Sequence, residues 1–151
     1  MPDETRTVVT FKSDAFNTSE PRPHFINPCC FGDDLAGWIL VALRERGVTT
    51  LEGPDQEDFG WYLNFTEDGV EHTLVLGYRA GDGEAPGDWV GWLERNCGFV
   101  ASILGGRKRG VLAAAATAVN GVLGDPRFRD VKWHYRADFD AGSEERGSPF
   151  P

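Results

Sequence analysis

The sequence FGWYLNFTEDGVEHTLVLGYR, residues 59–79, decides the fold because it predicts a β-hairpin whose register can be read from its residues. Asp68-Gly69 is typical of a two-residue type I′ turn, in which both turn residues have positive φ. Glu67 then lies opposite Val70, and a shift of one residue would turn the apolar side chains to the other face. The predicted apolar and aromatic pairs are Phe65 with His72, Leu63 with Leu74, Trp61 with Leu76, and Phe59 with Tyr78.

Other segments have the composition of strands. Residues 6–13 and 131–135 alternate apolar and polar side chains, and residues 48–51 are β-branched, so each predicts a strand. Residues 52–58, EGPDQED, are typical of a surface loop. Residues 89–96 leave two alternatives open, because the tryptophans have helical spacing while the aromatic and β-branched content favours a buried strand, which is the alternative we adopt.

Two segments have the periodicity of amphipathic helices. In the first, the apolar stripe consists of Leu35, Trp38, Ile39, Ala42 and Leu43, with Gly32 or Asp33 at the N-cap position. The second helix spans residues 110–124, and its buried stripe consists of Leu112, Ala115 or Ala116, Val119 and Leu123.

The predicted order of elements is therefore β-α-β-β-β-β-α-β. It indicates an α+β fold, a two-layer sandwich with a mainly antiparallel sheet of five to six strands and two main helices packed on one face. With 151 residues, the chain fits a single domain over residues 1–137, followed by a loosely ordered acidic tail over residues 138–151.

Negative charge is concentrated in the middle of the chain. The net charge is −9, and residues 52–94 contain eleven acidic residues and one base, Arg79, so that this stretch alone carries −10. Such a charge disfavours nucleic acid and anionic membranes as partners and suits a basic protein. The alternative is an acidic face that serves solubility alone. Because no signal peptide is visible and the longest apolar run, residues 35–43, is too short to cross a bilayer, we expect a cytoplasmic protein.

Adjacent cysteines in INPCCFGDDLAGW, residues 26–38, raise the question of a reactive thiol. A helix N-terminus can lower the pKa of Cys29 or Cys30, and His24 is a candidate base. Acidic residues at the start of the helix would oppose thiolate formation, and the same stretch is explained by a helix start alone. Adjacent cysteines do not match zinc-ligand spacing, and with Cys97 the count is odd, so we expect no metal, no cofactor and no disulfide framework.

A basic island, GGRKRG at residues 105–110, precedes the second helix. Flexible glycines and backbone N–H groups at a helix start can hold an anion. The candidate anion-binding residues are Gly105, Gly106, Arg107, Lys108 and Arg109. The glycine spacing matches a P-loop, but Val111 and Leu112 stand where Lys and Ser or Thr must follow, so nucleotide hydrolysis is unsupported. A solvated loop is the alternative.

The strings FINPCCFGDDLAGW, QEDFGWYLNF, GRKRG and VKWH resemble small uncharacterised bacterial proteins over most of the chain. The resemblance implies a bacterial cytoplasmic origin and no particular activity.

The sequence thus favours a non-enzymatic acidic module that binds another protein, and an immunity-like or antitoxin-like role against a basic toxin is one concrete version. The alternative is a small enzyme or ligand-binding protein that uses the loop at residues 105–110 for an anionic small molecule, with Cys29, Cys30 or His24 nearby.

Overall fold

Residues 5–20, 23, 25, 30–57, 60–81, 87–95 and 110–151 are described by a computed structural model, and within them the chain forms seven strands and two main helices. The strands are β1 (Val8–Lys12), β2 (Thr49–Thr50), β3 (Asp55–Glu57), β4 (Gly60–Glu67), β5 (Val70–Arg79), β6 (Asp88–Arg95) and β7 (Arg129–His134). The helices are α1 (Asp33–Glu45), α2 (Ala113–Val122) and the short α3 (Arg136–Asp140), which is followed by a 3₁₀ turn (Glu144–Arg146).

The hairpin of β4 and β5 has the predicted turn and register. Asp68 has φ of 49° and Gly69 has φ of 75°, as a type I′ turn requires. The observed pairs include Glu67 with Val70, Phe65 with His72, Leu63 with Leu74 and Trp61 with Leu76. Phe59, the remaining predicted partner, lies outside the described residues.

All strand pairs in the sheet are antiparallel, and the strand order is β2-β4-β5-β6-β1-β7, with β3 also paired to β4. The α+β architecture is as predicted, and the ambiguous segment is a strand over residues 89–95, while Asn96 lies outside the described residues. The described residues contain one strand more than predicted, because Asp55–Glu57 pairs with β4 where a surface loop was expected. This edge strand consists of polar residues, so the sequence shows no apolar alternation that would reveal it.

Helix α1 buries one stripe, but its orientation differs slightly from the prediction. Leu35, Ile39 and Leu43 are buried as expected. Ala36 and Leu40 complete the stripe, whereas the predicted Trp38 and Ala42 remain partly exposed. The N-cap residue is Gly32, which has no side chain to cap the helix with a hydrogen bond.

Helix α2 packs beside α1 on the same face of the sheet. Ala115, Ala116, Val119 and Leu123 are buried as predicted, while Leu112 is only partly buried. The guanidinium of Arg46, just after α1, donates to the carbonyl of Gly121 at 2.7 Å. The two helices and the inner face of the sheet form one hydrophobic core.

The C-terminal segment lies on the other face of the sheet. After α3, the chain returns to the edge strand β7, where Trp133 and Ser148 exchange two backbone hydrogen bonds of 2.5 and 2.8 Å. The interpretation of residues 138–151 as a loosely ordered tail concerns their motion and stays a prediction.

Candidate functional site

The predicted thiol site is described only at Cys30. Its side chain is 1% exposed, and its thiol donates to the carbonyl of Gly60 at 3.6 Å. The carbonyl of Cys30 accepts a 2.9 Å hydrogen bond from the indole of Trp61. Cys30 therefore packs the start of α1 against β4. Cys29 and His24 lie outside the described residues, so a thiol site that includes them stays a prediction.

The predicted anion-binding loop, residues 105–109, also lies outside the described residues, and the anion site stays a prediction. Within the described part of the chain, no group of three His, Cys, Asp or Glu residues is placed to hold a metal ion.

The hairpin register places His72 opposite Phe65, on the inner face of the sheet. His72 is fully buried, and its ring stacks on Phe65 at 5.8 Å. The backbone N–H of Leu112 donates to Nε2 at 3.2 Å, which leaves the proton on Nδ1 to be donated to the carbonyl of Val70 at 3.1 Å. Burial lowers the pKa of His72, so the neutral ring is favoured. It joins β5 to the residue before α2, which is a structural role.

The candidate binding surface is the outer face of the sheet, which is the face opposite the helices. Directly paired residues of antiparallel strands project to the same side. The pairing therefore places one row of side chains across the outer face of six strands. In spatial order, these strands are β3, β4, β5, β6, β1 and β7. The row consists of Asp55, Tyr62, Val75, Trp92, Val8 and His134.

Two aromatic residues in this row, Tyr62 and Trp92, are partly exposed and lie on either side of Val75. An aromatic side chain presents a large, stiff apolar surface with a polar group at one end, which suits recognition of another protein. This half of the outer face belongs to β4, β5 and β6.

Acidic residues border the aromatic pair. Glu71 and Glu94 are exposed and project from the outer face, opposite Thr66 and Thr73, and we call these two residues the acidic end. Asp55, at the other side of Tyr62, is exposed as well. The outer face thus presents an aromatic centre with carboxylates around it.

The other half of the outer face is occupied by residues 136–148, which we call the strap. Phe139 of the strap lies 5.7 Å from the ring of His134. Between the strap and the sheet is a cleft of about 130 Å³, lined by Val8, Trp92, Arg136, Phe139 and Asp140. The cleft continues the aromatic half of the outer face towards the strap.

Arg79, the one base in the acidic middle of the chain, is held by two carboxylates. It donates to Asp88 at 2.8 and 2.5 Å and to Glu144 of the strap at 2.9 and 3.2 Å. These hydrogen bonds raise the pKa of Arg79 and lower that of Glu144. The positive charge of Arg79 is therefore paired with the carboxylates of Asp88 and Glu144. It does not neutralise the acidic end.

Thr10 and His134 form the only hydroxyl–imidazole hydrogen bond among the described residues, with Oγ1 and Nε2 2.9 Å apart. A hydroxyl nucleophile needs a base, an orienting group on that base and access for the substrate. Both residues are buried, and Nδ1 of His134 has no hydrogen-bond partner in the described chain. The pair does not meet these requirements. The alternation of residues 131–135 places His134 on the outer face, on the other side of the sheet from Trp133, but no local pattern indicates its partner Thr10, which is 124 positions away.

None of the helices among the described residues is long and apolar enough to span a membrane. The chain matches no protein-family model, no curated protein and no solved structure.

Proposed function

We propose that this chain is a non-enzymatic binding module that receives a basic protein on the outer face of its sheet. The observation that carries the proposal is the position of Tyr62 and Trp92, partly exposed and bordered by exposed carboxylates. Aromatic anchors supply most of the binding energy at many interfaces, and surrounding charges select the partner and speed its approach.

The charge distribution supports a basic partner. Glu71 and Glu94 lie at one end of the outer face, and Glu52 and Asp55 are exposed near its β3 edge. With a net charge of −9, the chain attracts a cationic protein from a distance and repels polyanions. One concrete version is an immunity-like or antitoxin-like protein that covers a basic toxin.

Charge reversal on the outer face tests the proposal. We expect Glu71→Lys combined with Glu94→Lys to weaken binding of the partner by about ten- to a hundredfold, because both attractive charges become repulsive. The matched control is Glu20→Lys combined with Glu45→Lys, which changes the net charge equally at exposed residues away from this face.

The partner would be captured from extracts of the cells that produce the chain, identified by mass spectrometry and purified for titration against all three chains. We expect a basic protein whose affinity falls as salt rises, since exposed charges are screened. Equal affinity for the two double variants, or affinity unaffected by salt, would contradict the proposal.

A further inference from the structure

The strap is attached to the sheet at three places. Its end pairs with β7 through the backbone of Ser148 and Trp133. Its middle is held by the ion pair of Glu144 with Arg79. At the third place, Phe139 and the backbone at Gly147 pack on His134, where a Cβ added to Gly147 would lie 2.8 Å from the imidazole Cε1.

His134 lies under the strap with one ring nitrogen satisfied. The side chain is 1% exposed, Nε2 bonds to Thr10, and Nδ1 is buried with no hydrogen-bond partner among the described residues. A neutral ring with its proton on Nε2 donates to Thr10 and leaves only a lone pair unsatisfied. A protonated ring would bury a second N–H, with positive charge, against Phe139 and the backbone of Gly147.

The charged groups around His134 come from several elements. Lys132 of β7, Arg6 before β1 and Arg79 of β5 oppose a positive imidazole, and Glu144 of the strap favours it. Arg79 already binds both oxygens of Glu144. Burial is the largest influence and lowers the pKa of His134, the cations lower it further, and Glu144 offsets part of this effect.

We propose that the strap is a proton-sensitive cover of the outer face and that His134 is its latch. When His134 is neutral, the ring packs under Phe139 and Gly147 and the strap stays seated. When the ring gains a proton, it requires water at Nδ1, and the strap lifts from β7 and β1. Lifting exposes Val8, His134 and the outer edge of β7.

The direction of the pH effect follows from linkage. An exposed histidine has an ordinary pKa of about 6.5, so the open strap binds a proton at a higher pH than the closed strap does. Closure is therefore complete above about pH 6.5 and weakens as the pH falls towards the lowered pKa of the closed form. Glu144 stays ionised in this range because Arg79 lowers its pKa, so the ion pair is not what titrates.

Hydrogen exchange of the full-length chain measures the opening directly. We expect the protection factor of the Ser148 amide, which donates to Trp133, to fall between pH 7 and pH 5.5 by up to about tenfold per pH unit. Amides of the central pair β4 and β5 report global unfolding, which also exposes His72, so we expect their protection to exceed that of Ser148 at every pH and to fall on acidification as well.

Two variants separate the latch from general weakening of the strap. His134→Gln keeps an amide that can bond to Thr10 and removes the titrating group, so we expect strap protection to become independent of pH in this range. Glu144→Gln removes the ion pair with Arg79, so we expect the strap to open more at every pH while the wild-type pH slope remains.

Three results would overturn the proposal. The first is a His134→Gln strap with the wild-type pH slope. The second is a Ser148 amide whose protection equals that of the central strands at every pH, which would mean that the strap opens only when the whole chain unfolds. The third is a strap that tightens on acidification, which would mean that Glu144 leaves Arg79 to accept the new imidazole proton.

Discussion

His72 joins two parts of the chain that are forty positions apart, because its Nε2 accepts the backbone N–H of Leu112. The hairpin register predicted which residue faces it and on which side of the sheet it lies. Its depth could not be predicted, because burial depends on where the residues before α2 pass over β5. For a single residue such as His72, the sequence predicts on which face of the sheet the side chain lies. Its exposure to solvent depends on tertiary packing.

Removing the His72 imidazole is expected to weaken the fold and to change its response to acid. We expect His72→Gln to lower the free energy of unfolding by about 1–3 kcal/mol at pH 7.5, because buried hydrogen-bond partners lose their geometry. The lowered pKa of His72 means that stability is complete above about pH 6.5 and falls as acid protonates the unfolded chain first. The variant is therefore expected to lose less stability between pH 7.5 and 5.5 in urea unfolding. An identical loss in both proteins would contradict this role.

Two glycines with different surroundings give opposite predictions. A Cβ at Gly60 would lie 2.0 Å from the carbonyl oxygen of Leu76, whereas a Cβ at Gly37 in α1 would meet no atom within 4 Å. We expect Gly37→Ala to stabilise the protein by about 0.5–1 kcal/mol through helix propensity. Gly60→Ala should destabilise it, because β4 and β5 must separate. Thermal unfolding of both variants is the measurement, and a harmless Gly60→Ala would show that the strands do not approach this closely.

Helix α1 shows how far periodicity defines an element. The spacing of apolar residues predicted the helix and the centre of its buried stripe, and the N-cap was predicted at Gly32 or Asp33, where Gly32 is observed. It did not predict that Leu40 is 3% exposed while Trp38 is only partly buried. Trp38 instead packs against Phe16 and Phe128, and the guanidinium of Arg127 lies over its ring. These contacts come from loops whose paths the sequence pattern does not specify.

Neighbouring residues of α1 provide a direct test of its orientation. We expect Leu40→Ala to cost about 2–5 kcal/mol, since it leaves a cavity between the helix and the sheet. Val41→Ala is the matched control, because Val41 is 49% exposed, and we expect a change of within about 0.5 kcal/mol. Urea unfolding followed by tryptophan fluorescence measures both. Similar losses in the two variants would mean that the helix is rotated from the orientation described.

At the scale of the whole molecule, the class of fold could be predicted because hairpin, helices and flanking strands each have a local pattern. The candidate site could not, because its row of residues comes from strands far apart in the chain. Tyr62 and Trp92 become neighbours of Val75 only through the order of strands in the sheet. The contacts of the strap with β5 and β7 could not be predicted for the same reason, since they are tertiary and the strap sequence is polar.

The indole N–H signals of the tryptophans test most directly where the partner binds, because Trp92 is the one on the aromatic half of the outer face. In a ¹⁵N-labelled chain, with Trp92→Phe used to assign its signal, the captured basic partner is expected to shift the Trp92 resonance. The signals of Trp89 and Trp133, which are buried in the core, are expected to stay in place. A bound partner that leaves Trp92 unchanged, or that shifts Trp38 on the helical side instead, would contradict the account.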